Sequence, residues 1–329
     1  MKISISTFMN IIQGTIFFNY WSVGPLLFNA KLAAIQQPIF HKAYGNGFPS
    51  LRSIMRNISL AFVNSNPFFE LPRPISNKIV YIGGIVESKS KTNLTPEFQK
   101  IFDDTKSGVV LFSFGSLTDM STMTRQMKEA FLRAFSHFPT HDFIWKFGPV
   151  GGNESGLFAN SPNVHPSDWL DQKAVLGQPK LRAFITHCGL NSMNEAAVSG
   201  VPMVGIPLFG DQLFNAAVMH HKRVGVYVDI RRVLDESYLV EALQKVLNDK
   251  SYKENAKLLQ RKLQLSPFKP AEKLVKWVEF AAEFPRLNEL NLPFEELGVL
   301  AYYSLDVIFV TLAFLVLLII VSVLAVRFV

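Results

Sequence analysis

From Gly108 to Gln264 the sequence alternates short, mainly apolar runs with longer amphipathic ones, and this alternation limits the folds open to the chain. Val109–Phe114, Phe143–Phe147, Leu181–Thr186, Pro202–Ile206 and Val224–Val228 read as strands, and another short one begins at Val164. None shows the polar–apolar alternation of a half-exposed strand, so both faces must be covered. Helices are expected at residues 124–138, 192–199, 212–222, 236–248 and 251–264, with one more over 271–284. The fold class that satisfies this pattern is α/β, a Rossmann-like parallel sheet with helices on both faces. Ligands of such sheets sit beyond the carboxyl ends of the strands.

The flanking segments differ. Residues 1–66 carry mixed apolar patches without a clean alternation, and Asn66 to Pro74 is proline-dense, which favours extended backbone and reads as a linker. Ile79–Ile82 is a short strand ended by Gly83-Gly84. At the other end, Val307 to Val326 holds only Thr311 and Ser322 as polar side chains. Twenty helical residues span roughly 30 Å, the thickness of a bilayer core, so this run is expected to be a transmembrane helix. Met1 to Tyr20 has no clear small-residue cleavage site. Asn57, Asn93 and Asn153 open glycosylation triplets compatible with a lumenal body.

Composition excludes some classes. With 49% hydrophobic and 18% charged residues the chain is not disordered. Its net charge of +7 is spread over scattered Lys and Arg, never more than two in succession and without a basic run, so no nucleic-acid partner is expected. One cysteine, Cys188, leaves no disulfide framework and no multi-Cys metal site, and is expected to be a small buried residue. Neither a dinucleotide glycine fingerprint nor a P-loop occurs, and no spaced carboxylate or His cluster suggests a metal.

Polar residues gather at the ends of the central strands, each with two readings. Ser192 and Glu195 have the spacing of a capping box, in which Ser192 caps the helix and Glu195 bonds back, contributing about 1 kcal/mol. Alternatively the free amides of this helix start, with Asn191 and Ser192, face a phosphate, and Gly189 lets the backbone approach closely. His187 is either a structural strand-end residue or a ligand group, Asp211 either a helix cap or a ligand group, and Trp169 either a core cover or a stacking platform.

Their joint order carries a resemblance. W-x-x-Q at 169–172, F-I-T-H-x-G-x-N-S-x-x-E at 184–195, G-V-P-M-V-x-x-P at 200–207 and Asp211-Gln212 resemble the signature of the UDP-glycosyltransferase family, membrane-bound and glucuronosyltransferase-like. The likeness extends to F-x-E-x-P-R-P at 68–74, Y-I-G-G-I at 81–85, V-L-F-S-F-G-S at 110–116, Trp277-Val278-Glu279 and Tyr302 to Val307. It implies that Trp169 stacks on uracil, that Gln172 and Glu195 bond the ribose region, and that His187, Gly189, Asn191 and Ser192 hold the diphosphate, His187 stabilising the leaving group. It further implies Ser116 near the phosphates and Asp211 and Gln212 on the sugar hydroxyls.

The implied architecture is the C-terminal half of a two-domain GT-B glycosyltransferase plus a transmembrane helix. Its expected divisions are 1–66, a remnant of the acceptor-side domain; 67–85, a linker; 86–265, the UDP-sugar-binding domain; 266–306, return helices and juxtamembrane segment; 307–326, the span; and 327–329, a short tail. The implied activity is metal-independent inverting transfer of a hexose or hexuronic acid from a UDP-sugar to a hydroxyl of a small lipophilic acceptor, with no cofactor. The alternative is a non-catalytic UDP-sugar-binding or partner-assembling membrane relative. Homo- or hetero-oligomers with related transferases, and a single-pass endoplasmic-reticulum location, follow from the same likeness.

The sequence departs from the pattern at Gln178, where the family usually has His, and at Asp171, where Pro is common. The tail Phe328-Val329 lacks a lysine-rich retention signal. About sixty-five residues precede the linker where the family has a whole domain with a His–Asp base, so the start is expected to be missing. His41 is the sole upstream histidine and its context does not match the catalytic position, so no base is assigned.

Overall fold

The computed structural model describes residues 31–73, 75–85, 94–116, 118, 120, 123–148, 156–291, 300 and 304–327. They divide into two compact units. One comprises the described residues within Met1–Ala61, Ile75–Ile79 and Phe280–Val329; the other comprises Phe62–Pro74 and Val80–Glu279.

After two short strands, β1 (Ala61–Val63) and β2 (Ile79–Tyr81), the second unit is built on six parallel strands: β3 (Val109–Ser113), β4 (Asp142–Lys146), β5 (Val164–Ser167), β6 (Leu181–Thr186), β7 (Met203–Gly205) and β8 (Gly225–Tyr227). Their spatial order is β5-β4-β3-β6-β7-β8. Consecutive strands run outward from β3 to β5, and the chain then returns to pair β6 on the other side of β3. The crevice between β3 and β6 is therefore the topological switch point, where such sheets bind ligands.

The expected two-sided burial is found. All five residues of β3 are buried, and alternate ones serve opposite faces, as strand geometry requires. Val110 and Phe112 join a core with Phe131, Phe135, Trp145 and Leu239, whereas Val109 and Leu111 join one with Ile144, Phe184, Met193 and Leu259. The first face is covered by α4 (Arg125–Ser136) and α8 (Glu236–Asn248). It is dense in aromatic pairs, with Phe135 stacked on Phe143 at 4.1 Å. The second face is covered by α3 (Pro96–Asp104), α5 (Gln172–Leu176), α6 (Leu190–Ser199) and α9 (Lys250–Gln264).

Helix α6 is the element that positions the site. Its carboxyl end is closed by α9: Lys253 and Lys257 donate to Gly200 O and Ser199 O, and Gln260 donates to Val198 O at 2.7 Å. Gly200 ends the helix at φ +65°, and a Cβ there would meet Gln260 Oε1 at 2.7 Å. The acceptor end of the helix is thus satisfied by side chains, and its donor end faces the switch point. Helix α7 (Gln212–His221) follows β7, and α10 (Pro270–Glu283) follows the elbow at Pro267.

In the first unit, helix α1 over residues 31–44 precedes α2 (Leu51–Arg56), and Gln37 Oε1 accepts from Leu51 N at 2.7 Å to hold them together. Ser59 Oγ donates to Pro285 O, and Ser76 Oγ to Leu290 O. Asn57 ends α2, exposed, while Asn93 and Asn153 lie outside the described residues. The C-terminal helix, Leu305–Arg327, is long and apolar enough to cross a membrane: its span Leu305–Ala325 has a mean hydropathy of 3.3 and none of it is buried.

Candidate functional site

Strand β3 leaves the sheet into a turn at Gly115, and β6 leaves it at Thr186 into His187, Cys188 and Gly189. The two glycines leave the space that the His187 ring occupies. A Cβ on Gly115 would lie 2.8 Å from His187 Cε1, and one on Gly189 would lie 2.4 Å from His187 Nε2. Gly115 also has φ +80°, which disfavours any side chain. Cys188, at φ +63°, makes the reversal from strand to helix. Its N–H donates to Thr186 Oγ1 and its carbonyl accepts from Asn215 Nδ2 at 3.0 Å, which hold it in that strained conformation. Cys188 is buried, as expected.

Helix α6 opens at Gly189, which offers no side-chain cap. Its first amides therefore present donors and partial positive charge at the switch point. This corrects the capping-box reading. The helix begins at Leu190, two residues earlier than the sequence pattern suggests, so Ser192 is buried in its first turn rather than capping it. The Ser192 hydroxyl and Glu195 Oε2 instead both accept from Gln172 Nε2, at 3.1 and 2.7 Å. One amide of α5 thereby ties together three of the predicted residues.

His187 is half-buried, and its Nδ1 is buried without a partner. Burial pushes its pKa below the ordinary imidazole value, the Asp211 carboxylate partly opposing this, which favours the neutral ring. Asp211 stands at the N-cap position of α7 but makes no capping bond; its Oδ2 accepts from Asn215 Nδ2 at 2.9 Å. Gln212 is buried, and its Oε1 accepts from Leu208 N and Phe209 N, fixing the loop after β7. Ser116 is exposed on the turn after β3.

Trp169, beyond the end of β5, is 70% exposed. Lys146, the last residue of β4, places its ammonium 4.2 Å from the centre of the indole ring. Asp171 and Gln178 serve α5: Asp171 Oδ1 accepts from Ala174 N, and Gln178 donates to Ala174 O.

Three contributors were not read from the sequence. Lys146 stands at a strand carboxyl end, where the rule for parallel sheets points. Asn215 is four residues after Asp211, the spacing that makes helical neighbours. Asn64 donates to Asn191 Oδ1 at 3.2 Å and its carbonyl accepts from Asn194 Nδ2, with no motif to announce it. A cavity of about 980 Å³ in the first unit, lined by Arg52, Lys78, Arg286 and several Ser and Asn side chains, contains none of the predicted donor-binding residues; of the predicted positions only the glycosylation candidate Asn57 lines it.

The family described as "UDP-glucoronosyl and UDP-glucosyl transferase" matches residues 17–329. The chain is 36% identical over 256 residues to UDP-glucuronosyltransferase 2C1 of Oryctolagus cuniculus, covering 78% of this chain and 49% of that one. It is 32% identical over 303 residues to UDP-glucuronosyltransferase 2B10 of Homo sapiens, covering 92% and 55%. The chain therefore spans about half the length of the curated relatives it matches. Among solved structures, the glycotransferase of kitacinnamycin superposes with a TM-score of 0.62 at 21% identity over 80% of this chain and 66% of that one, which establishes a shared fold. With the sheet order, the signature residues at its switch point and these likenesses together, the chain belongs to the family of UDP-glucuronosyl and UDP-glucosyl transferases.

Proposed function

We propose that this chain is the donor-binding half of a UDP-glycosyltransferase that moves a hexose or hexuronic acid from a UDP-sugar to a hydroxyl of a small lipophilic acceptor. The observation that carries the reading is the uncapped start of α6 at the β3–β6 switch point, beside His187 and the Gln172–Ser192–Glu195 cluster. In this reading the diphosphate lies on the first amides of α6 with Asn191, Ser192 and His187, and Ser116 approaches it from the β3 turn. The uracil stacks on the free face of Trp169, the ribose meets Gln172 and Glu195, and the sugar hydroxyls meet Asp211 and the Nε2 of Gln212.

The chemistry follows from where charge develops. As the acceptor oxygen attacks the sugar carbon, the bond to the diphosphate breaks and negative charge grows on the departing UDP. Helix amides and an imidazole N–H fixed around that diphosphate stabilise the transition state more than the ground state, by inverting displacement without a metal. The base that takes the acceptor proton is assigned to no residue here. The names of the relatives support transfer over binding alone. The apolar C-terminal helix supports a single-pass protein, for which we propose a lumenal body in the endoplasmic reticulum and glycosylation at Asn57.

Titrating UDP into the detergent-solubilised chain tests the reading. His187→Ala should weaken binding roughly ten- to a hundredfold, the value of one hydrogen bond to a charged group. Unchanged affinity would remove His187 from the phosphate site.

A further inference from the structure

Counted by runs, the cations of this sequence are scattered, but counted along the surface of α9 and the elbow into α10 they are not. Residues 250–276 hold eight Lys and Arg against two Glu, a net +6 out of the chain's +7. Within that stretch lies a shallow groove of about 400 Å³ with Phe68, Leu258, Leu265 and Pro267 on its walls and Arg261 and Lys262 at its edge. Leu265 and the neighbouring Phe268 are 70% and 69% exposed, unusual for such large apolar side chains side by side. Among the described residues neither Arg261 nor Lys262 has a carboxylate partner.

We propose that this basic, apolar elbow is a second membrane contact that rests on an anionic phospholipid surface while the C-terminal helix anchors the chain. Two observations choose a bilayer as the occupant. Aliphatic and aromatic side chains flanked by Arg261 and Lys262, cations without a carboxylate partner among the described residues, match the acyl–headgroup boundary, where apolar groups sink and Lys and Arg meet phosphates. The chain is also tethered nearby: the 21 residues between Glu283 and Leu305 reach at most about 75 Å, so a bilayer holding the span stays at high effective concentration for the elbow. A polynucleotide would use the charges but leave Leu258, Leu265 and Phe268 without a role. The inference rests on the membrane-anchored reading of the C-terminal helix. Its consequence is orientational, because two contacts fix how the donor-binding sheet stands above the membrane.

The full chain reconstituted in vesicles tests this with an environment-sensitive fluorophore on a single engineered cysteine. Cys188 is buried with its thiol pKa pushed up to about 12, so it stays unlabelled. Labels go on Gln264→Cys beside the groove, on Ser136→Cys in α4 as a control, and on Val316→Cys inside the span. The vesicles contain brominated phosphatidylcholine, with or without phosphatidylserine. The Val316 label should be quenched in both, reporting insertion. The Gln264 label should be quenched far more strongly when phosphatidylserine is present, and high salt should release it. The Ser136 label should be quenched in neither. Arg261→Glu with Lys262→Glu should lower the docked-to-free ratio by about tenfold or more, with the thermal midpoint unchanged. An unquenched Val316 label would overturn the anchoring reading and this inference with it. A quenched Val316 label beside an unquenched Gln264 label would overturn the inference alone, as would equal quenching at Gln264 and Ser136. Single-stranded DNA shielding the Gln264 label more effectively than anionic vesicles would also overturn it.

Discussion

Replacing Gly189 by Ala adds a methyl whose centre would lie 2.4 Å from His187 Nε2 and 2.8 Å from Cε1, well inside contact distance. The backbone does not resist the change, because Gly189 sits at φ −62° and ψ 138°, where Ala is at ease. The main stress therefore falls on the imidazole, which must swing away from the start of α6. Losing an N-cap glycine for Ala costs about 0.5–1 kcal/mol, and crowding the ring adds about 1–3 kcal/mol. If His187 holds phosphate, the variant should lose roughly as much UDP affinity as His187→Ala, ten- to a hundredfold. Calorimetric titration of the four proteins of a double-mutant cycle isolates the mechanism. Gly189→Ala should weaken UDP binding in the wild-type background and do almost nothing once His187 is Ala, and its effect on thermal stability should shrink there as well. Additive losses in the two backgrounds would refute the idea that Gly189 acts by making room for the ring.

Two further outcomes are expected. Lys146→Met removes the cation from one face of Trp169 and should weaken UDP a few-fold, in line with an exposed cation–π pair, while pyrophosphate affinity stays unchanged; equal losses for both ligands would place Lys146 at the phosphates instead. Burial of Lys253, helped by repulsion from the Lys257 and Arg182 cations, pushes its pKa down to about 8, so the folded chain sheds a proton that the unfolded chain keeps until about 10.5. Stability from this group should therefore rise between pH 8 and 10.5, and chemical denaturation of Lys253→Met should show that rise flattened.

The sheet was legible because its central strands are mostly apolar without polar alternation, a pattern that two-sided burial explains, whereas β5, Val-His-Pro-Ser, carries that signal only at Val164. Val109, Val110, Leu111 and Phe112 illustrate it: successive residues serve different cores, so no polar position interrupts them. The start of α6 was misplaced because Ser192 and Glu195 imitate a cap, while the true opening residue, Gly189, caps nothing and leaves no mark. Short elements such as α5 and β1 (Ala61–Val63) are below the length at which periodicity is readable. Of the site, the residues that end strands or open helices were legible by position. Asn64 was not, because its contact with Asn191 joins residues 127 apart in the sequence and only the fold brings them together.

Hydrogen–deuterium exchange of the solubilised chain with and without UDP bears most directly on the central claim, that the donor lies across the carboxyl ends of β3 and β6. Slowed exchange is predicted at the amides of residues 187–193 and 115–116, where UDP would take up the uncapped donors of α6 and the β3 turn. Protection confined to residues 50–59 and 285–291, around the basic cavity of the first unit, or no protection at saturating UDP, would contradict it.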